Sequence, residues 1–372
     1  MPQLVLPEAE AAKSDSPSQP HQPAKNRLVE LPGLVRRLAI QGTLWTIGGQ
    51  STSAFMRLAS NLILARMLSP ADFGLSAICG VIMVGLEMFS DLGITPAIVR
   101  DPKGEDIRFL NTAWTIQAIR GFILFGIAAS LAFPMAWFYG TPALATLIPL
   151  VATTAIFSGF ASTAMAGARR RVQLGRLTIV ELTAQTVAAI VMISWALIHP
   201  SVYALICGGI SGSITKTVLS HLMWKWPRHR FGFHRESARS LINFGKWISI
   251  NSGLFFLANN SDRFMLARLA GLGPLGVYNT AFNLSQPAAL MNHHLSRSVM
   301  LPLFSRTYRN APEQLGANFY RARRYSDWFL LPALGFLAAW SQPIVEFLYD
   351  SRYHAGGVML QFFFINAALR CI

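Results

Sequence analysis

The chain has 372 residues, of which 52% are hydrophobic and only 13% charged, with a mean hydropathy of +0.39. Soluble domains carry about 25% charged residues, so this composition excludes an ordinary water-soluble fold. It points to an all-α integral membrane protein, because apolar segments of about 20 residues cross a hydrocarbon core roughly 30 Å thick and open sheets do not survive there. A net charge of +15 would suggest nucleic acid as a partner of a soluble protein. Here the cations sit in short stretches between apolar runs, as membrane anchors do, so membrane lipids are expected as partners and nucleic acid is not.

Residues 1–37, rich in Pro, Ser, Gln and Ala, have neither an apolar h-region nor a small-residue cleavage site. They read as a disordered cytoplasmic tail, not a signal peptide. Apolar runs follow at 38–63, 74–98, 110–134, 143–167, 176–198, 202–224, 241–262, 276–303, 325–348 and 356–372. Helices 1–6 are expected to form an N-terminal lobe over residues 38–225. A basic cytoplasmic linker at 226–240 leads to a C-terminal lobe, helices 7–10, over residues 241–372. With the tail inside, the inner connections hold 22 Lys and Arg, and the outer loops hold four, Arg66, Arg263, Arg268 and Arg352. That asymmetry predicts a multi-pass protein of the bacterial inner membrane with a cytoplasmic N-terminus. Cys79, Cys207 and Cys371 lie in apolar stretches at wide spacing, which suggests neither a disulfide framework nor a metal site.

An internal repeat joins the two halves. Leu64-Ala65-Arg66 with Gly74 recurs as Leu266-Ala267-Arg268 with Gly276, at an offset of 202 residues that also carries Trp45 onto Trp247. Six helices separate the copies, so the repeat is parallel, a known transporter plan. Two pseudo-symmetric six-helix lobes are the expectation. The second lobe is expected to be incomplete, because the chain stops inside an apolar run at Ile372.

Ionisable residues inside a membrane cost about 2.5–3.5 kcal/mol each on insertion scales and mark working interiors. Arg57, Arg120, Lys216 and Arg297 lie within four different runs, and a cavity lined by them would attract an anion. Helix 1 carries Thr43, Thr46, Gln50, Ser53, Arg57 and Asn61 at three- and four-residue steps, which places them on one face. Helix 7 carries Ser249, Ser252, Asn259 and Arg263 in a similar stripe, with Asn259 at the offset position of Arg57, and helix 8 carries Asn279, Asn283, Gln286, His293 and Arg297. Gln50, Asn61, Asn259, Asn283, Gln286 and His293 are therefore candidates for a polar cavity lining. Glu87 and Asp91, one turn apart on helix 2, and Glu181 on helix 5 are candidate counter-ions or a proton or sodium coupling site. No nucleotide-binding or catalytic motif occurs, so no cofactor is expected and transport would draw on a gradient or on substrate supply.

The stretch Leu64-Ala65-Arg66-Met67-Leu68-Ser69-Pro70-Ala71-Asp72-Phe73-Gly74, followed by an apolar helix and Asp91-Leu92-Gly93, resembles the first loop and second helix of bacterial polysaccharide flippases. These are the Wzx-type members of the multidrug/oligosaccharidyl-lipid/polysaccharide exporter superfamily. Asn260-Ser261-Asp262-Arg263 and Leu275-Gly276-Val277-Tyr278-Asn279-Thr280-Ala281 resemble that family's seventh and eighth helices. The resemblance covers residues 38–372. It implies a V-shaped pair of lobes that alternates between inward and outward openings. It also implies flipping of undecaprenyl-pyrophosphate-linked oligosaccharide for exopolysaccharide, O-antigen or capsule synthesis, alongside other polysaccharide-assembly proteins. Family members commonly have twelve or fourteen helices, more than the ten runs seen here. The alternatives are a cation-coupled multidrug exporter of the same architecture, and a membrane polymerase or ligase. The short outer loops disfavour the enzyme.

Overall fold

The computed structural model describes residues 32–370 apart from 225, 227–228, 296–303, 305–306 and 309–311, and for 32–44, 46–47, 289–295, 312 and 325 it describes the backbone alone. Residues 1–31, and with them most of the expected tail, lie outside the described residues, as do Arg297 and Cys371. The chain forms two compact units, Met1–Gln41 and Gly42–Ile372, and the site lies wholly within the second.

All regular structure among the described residues is helical. In chain order the helices are α1 (Pro32–Met67), α2 (Pro70–Phe89), α3 (Ile94–Arg100), α4 (Ile107–Tyr139), α5 (Ala143–Gly159), α6 (Ala164–Arg170), α7 (Leu174–Ile198), α8 (Val202–Leu222), α9 (Arg235–Leu269), α10 (Leu272–Leu295), α11 (Leu315–Ala339), α12 (Ser341–Leu348) and α13 (Gly356–Leu369). Every expected apolar run holds at least one of them. Four are long and apolar enough to cross a membrane, and six spans result when two bent pairs each count as one. The pairs are α5 with α6, bent by 60°, and α11 with α12. Helices α1, α9 and α10 fall outside that group because they carry the polar stripes seen in the sequence, which lower their hydropathy although each is at least 24 residues long.

Local chemistry sets the boundaries. Ser69 caps α2 through a reciprocal box: its Oγ accepts from the Asp72 N–H (3.2 Å), and Asp72 Oδ2 accepts from the Ser69 N–H (3.0 Å), with Pro70 in the first turn. The run 74–98 does not form one helix. It breaks at Ser90-Asp91-Leu92-Gly93, where Gly93 adopts φ +58° and the Asp91 carboxylate accepts from its N–H at 2.9 Å. Asp91 thus lies past the end of α2 and shares no helical face with Glu87, contrary to the one-turn spacing read from sequence; a left-handed glycine next to an Asx turn outweighs apolar periodicity here.

Packing follows the rules of lipid, where small residues bring helices together. A Cβ on Gly121 of α4 would lie 2.6 Å from the Ala155 carbonyl oxygen of α5, and one on Gly208 of α8 would lie 2.9 Å from the Ala188 oxygen of α7. A buried cluster of α2, α4 and α5 includes Ile78, Cys79, Leu144 and Ile148. A second cluster gathers Leu64, Leu68 and Phe73 with Tyr349, Tyr353, Leu360 and Phe364.

The tightest approach joins α2 to α10. A Cβ on Gly74 would overlap the Leu272 carbonyl oxygen, and one on Gly276 would overlap that of Pro70. Pro70 and Gly74 become Leu272 and Gly276 when 202 is added, so each half offers the other the same contact. Around this seam Tyr353 packs edge-on against Phe73 at 6.2 Å, Gly356 meets Val277, and Arg352 Nη2 donates to the Ala65 carbonyl at 3.2 Å. The end of the bundle that carries the α1–α2 and α9–α10 turns is closed by these contacts.

Candidate functional site

Beyond that closed end, a cleft of about 1510 Å³ opens between α1, α2 and α7 on one side and α9, α10 and α13 on the other. Its depth begins at Leu64 and Phe73, next to the seam. The polar stripe of α1 supplies Arg57, Ser60 and Asn61, and that of α9 supplies Asn259, Asn260, Asp262 and Arg263. Helix α10 adds Tyr278, Asn279, Asn283 and Gln286, and Asn366 and Arg370 enter from α13 and its end. The rest of the wall is apolar, with large side chains such as Val84, Phe255 and Phe363 and small ones such as Ala54, Gly80 and Ala188.

Arg57 is exposed to the cleft and held from one side. Its Nη1 donates to Ser53 Oγ at 2.7 Å, Ser53 Oγ donates to Gln185 Oε1 at 2.6 Å, and Gln185 Nε2 donates back to the Ser53 carbonyl at 2.8 Å. This chain ties α1 to α7 and leaves most of the guanidinium fork free. Arg263 lies with Cζ 4.2 Å from the Phe282 ring centre, and its Nε is buried without a hydrogen-bond partner. The neighbouring Asp262 carboxylate accepts from the Tyr278 hydroxyl. Asp262 is the one acid on the described cleft wall, against Arg57, Arg263 and Arg370, and none of these arginines forms an ion pair among the described residues. Asn61 Oδ1 is likewise buried and unpartnered, and the Asn259 amide donates within its own helix to the Phe255 carbonyl at 2.8 Å.

The expected residues divide between this wall and other places. Arg57, Asn61, Asn259, Asn283 and Gln286 line the cleft together. Gln50 is exposed on α1 outside the wall. His293 belongs to α10 but its side chain, like all of Arg297, lies outside the described residues. Arg120 and Lys216 do not reach the cleft. Arg120 Nε donates to Ser90 Oγ at 2.9 Å and Nη2 to the Glu87 carbonyl at 2.7 Å, so it caps the last turn of α2 from α4. Lys216 pairs with Glu181 at 2.8 Å and joins α8 to α7. The Asp91 carbonyl accepts from Ser249 Oγ at 2.7 Å, which fastens the α2–α3 break to α9. No cluster of three or more potential metal ligands occurs among the described residues.

Sequence reasoning missed Asp262, Tyr278 and Arg370 as site residues. It placed Arg263 on the helix 7 stripe but also counted it in an outer loop and did not single it out for the site; it lies inside α9. The offset carries the signal that would have singled it out: Arg57 maps onto Asn259 and Asn61 onto Arg263, so at these two positions the paired helices exchange an arginine and an asparagine.

The sequence profile described as "Polysaccharide biosynthesis protein" matches residues 63–356. The chain is 22% identical over 339 residues to the lipopolysaccharide biosynthesis protein WzxC of Escherichia coli, covering 91% of this chain and 68% of that protein. It is 21% identical to the succinoglycan biosynthesis transport protein ExoT of Rhizobium meliloti, covering 83% of this chain and 62% of that one. Among solved structures it resembles an inward-facing multidrug resistance MATE family transporter of the MOP superfamily, with a TM-score of 0.62 at 13% identity, over 86% of this chain and 81% of the other. That likeness is one of fold.

Proposed function

Because the chain belongs to the polysaccharide biosynthesis protein family, and is a multi-pass membrane protein of transporter fold, we propose that it moves a polyprenyl-pyrophosphate-linked oligosaccharide across the bacterial inner membrane. The observation that carries this reading is the set of three arginines, Arg57, Arg263 and Arg370, which form no ion pair among the described residues and face one cleft whose other polar groups are mainly carboxamides and hydroxyls. Arginine's planar fork suits phosphate oxygens, and asparagine and glutamine offer both donors and acceptors to sugar hydroxyls. The pyrophosphate rests between α1 and α9, the glycan fills the amide-lined volume, and the polyprenyl tail stays in lipid.

Transport requires that the cleft open to each side in turn and bind more tightly in one state than in the other, since only differential affinity shifts a conformational equilibrium. The α2–α10 seam is the barrier that parts. With the N-terminus cytoplasmic, the closed end is the periplasmic one, and the cleft loads from the inside. A strain lacking the gene tests this: it is expected to accumulate lipid-linked oligosaccharide on the inner leaflet and lose surface polymer. The intact gene restores polymer, and Arg57→Ala inserts normally without restoring it. Intact polymer in the deletion strain together with new drug sensitivity would favour a multidrug exporter instead.

A further inference from the structure

Residues 229–234 of the connection from α8 to α9 are fixed in place rather than draped. The backbone N–H groups of Arg230, Gly232 and His234, alternate residues of an extended segment, donate to Asn111 Oδ1 (3.2 Å), Thr115 Oγ1 (3.1 Å) and Thr112 Oγ1 (3.1 Å) on α4. The His229 ring stacks on Trp114 with centroids 5.2 Å apart and bonds Ser162 Oγ at 2.8 Å. This strap crosses α4 near its start. Helix α4 has 33 residues, about 50 Å at 1.5 Å per residue, so it is longer than a hydrocarbon core of about 30 Å, and its polar first turns, where the strap crosses, suit the headgroup border.

A strap so fastened cannot withdraw its outward side chains. Phe231 and Phe233 are 69% and 67% exposed, Phe231 with one side of its ring against Trp114 at 4.8 Å, and Trp226 is 45% exposed. Around them stand cations: Arg230, Arg235 and Arg239 are exposed, and the Arg171 guanidinium lies 5.6 Å from the Trp226 ring centre. The acids nearby are Glu236 on the first turn of α9, Asp101 and Asp106, which line a hollow with His234 and Glu236 and share its wall with Lys103 and Arg108, and Glu105, which is already paired with Arg171 at 3.1 Å. Apolar rings flanked by arginines, at headgroup depth, match an interface whose acyl region takes the rings and whose phosphates take the guanidiniums.

We propose that the strap and the first turns of α9 form a binding surface for anionic phospholipid, with Phe231 and Phe233 entering the acyl border and Arg230, Arg235 and Arg239 contacting lipid phosphates. The surface is separate from the cleft and does not depend on what the cleft carries.

The test uses the full chain with Cys79, Cys207 and Cys371 replaced by alanine and an environment-sensitive dye on Phe233→Cys, or on Phe231→Cys if the first variant misfolds. It is reconstituted in vesicles of phosphatidylcholine with or without phosphatidylglycerol, and Glu313→Cys serves as an exposed comparison site away from the strap in sequence. The expected result is quenching by lipid-borne nitroxide at 233 but not at 313, stronger in the anionic vesicles. Each arginine changed to glutamine is expected to weaken that anionic preference about fivefold. Equal access of aqueous iodide to 233 and 313 in both lipids would overturn the proposal and leave the aromatic surface to a protein partner.

Discussion

Two stretches of the same helices treat each other in opposite ways. At Gly74 and Gly276, α2 and α10 bring their backbones into contact, whereas from Ser76 and Tyr278, about half a turn further on, the same pair lines the wide cleft. The seam holds no ion pair between these two helices among the described residues, and the cleft gathers the charges. The division has a physical consequence. Parting a seam of glycines and carbonyls forfeits dispersion contacts but strands no buried charge, so it is reversible at modest cost, whereas a buried ion pair would resist separation.

The sharpest way to break the comparison is to fill the seam. Gly74→Val or Gly276→Val forces a side chain against a carbonyl oxygen, and overpacking of about 1–3 kcal/mol shifts the closed state toward open by roughly five- to 150-fold. Ser76→Cys, on the cleft wall, is then expected to react faster with an impermeant thiol reagent added from the side of the α1–α2 turn. Unchanged labelling would mean that these glycines do not set the seal.

The cleft arginines come next. Arg57→Ala and Arg263→Ala each remove a charged donor of the kind worth about 1.5–3 kcal/mol, so transport is expected to fall about ten- to 150-fold. Lysine at position 57 keeps the charge but not the fork and is expected to rescue only part. Arg120 and Lys216 sharpen the contrast. Arg120→Ala frees two acceptors at the end of α2 and is expected to lower thermal stability, by about 1–3 kcal/mol, while substrate affinity in the folded fraction holds. Lys216→Ala breaks a half-exposed pair, at a cost of at most about 1 kcal/mol. Loss of affinity without loss of stability in either would move that residue back into the site.

How much of this could be read from the sequence differs between the same two regions. The seam was written in it as Leu-Ala-Arg followed eight residues later by glycine, twice, and the stripes of α1 and α10 were visible from three- and four-residue spacing. The placement of Arg120 and Lys216 was not, because a lone cation in an apolar run has the same periodicity whether it faces a chamber or caps a neighbouring helix. The α2–α3 break was hidden for a related reason: hydropathy runs straight through Asp91-Leu92-Gly93, and only the left-handed glycine shows that the helix stops. Arg263 was visible on the stripe of α9 but was not assigned to the site, because the run was cut one residue short, at Asp262, and the arginine was counted as a loop cation.

The smallest expected effect lies in the strap. Burial, with His221 close by, pushes His229 down to about 4, below the usual 6.5 of the unfolded chain. The unfolded state then binds the proton more readily, so strap docking is fully stable above about pH 6.5, weakens as pH falls, and loses this contribution near pH 4. Hydrogen exchange at Arg230, Gly232 and His234 is expected to rise over that interval, relative to amides in α4. His229→Asn, which keeps a short hydrogen-bonding side chain that does not titrate but gives up the ring stacked on Trp114, is expected to flatten the dependence.

The most direct measurement is equilibrium binding of a polyprenyl-pyrophosphate-linked oligosaccharide to the purified chain in nanodiscs, with an Arg57→Ala, Arg263→Ala double variant and Lys216→Ala alongside. The account predicts at least about 100-fold weaker binding by the double variant and unchanged binding by Lys216→Ala. Equal affinity of the double variant and the intact chain would contradict it.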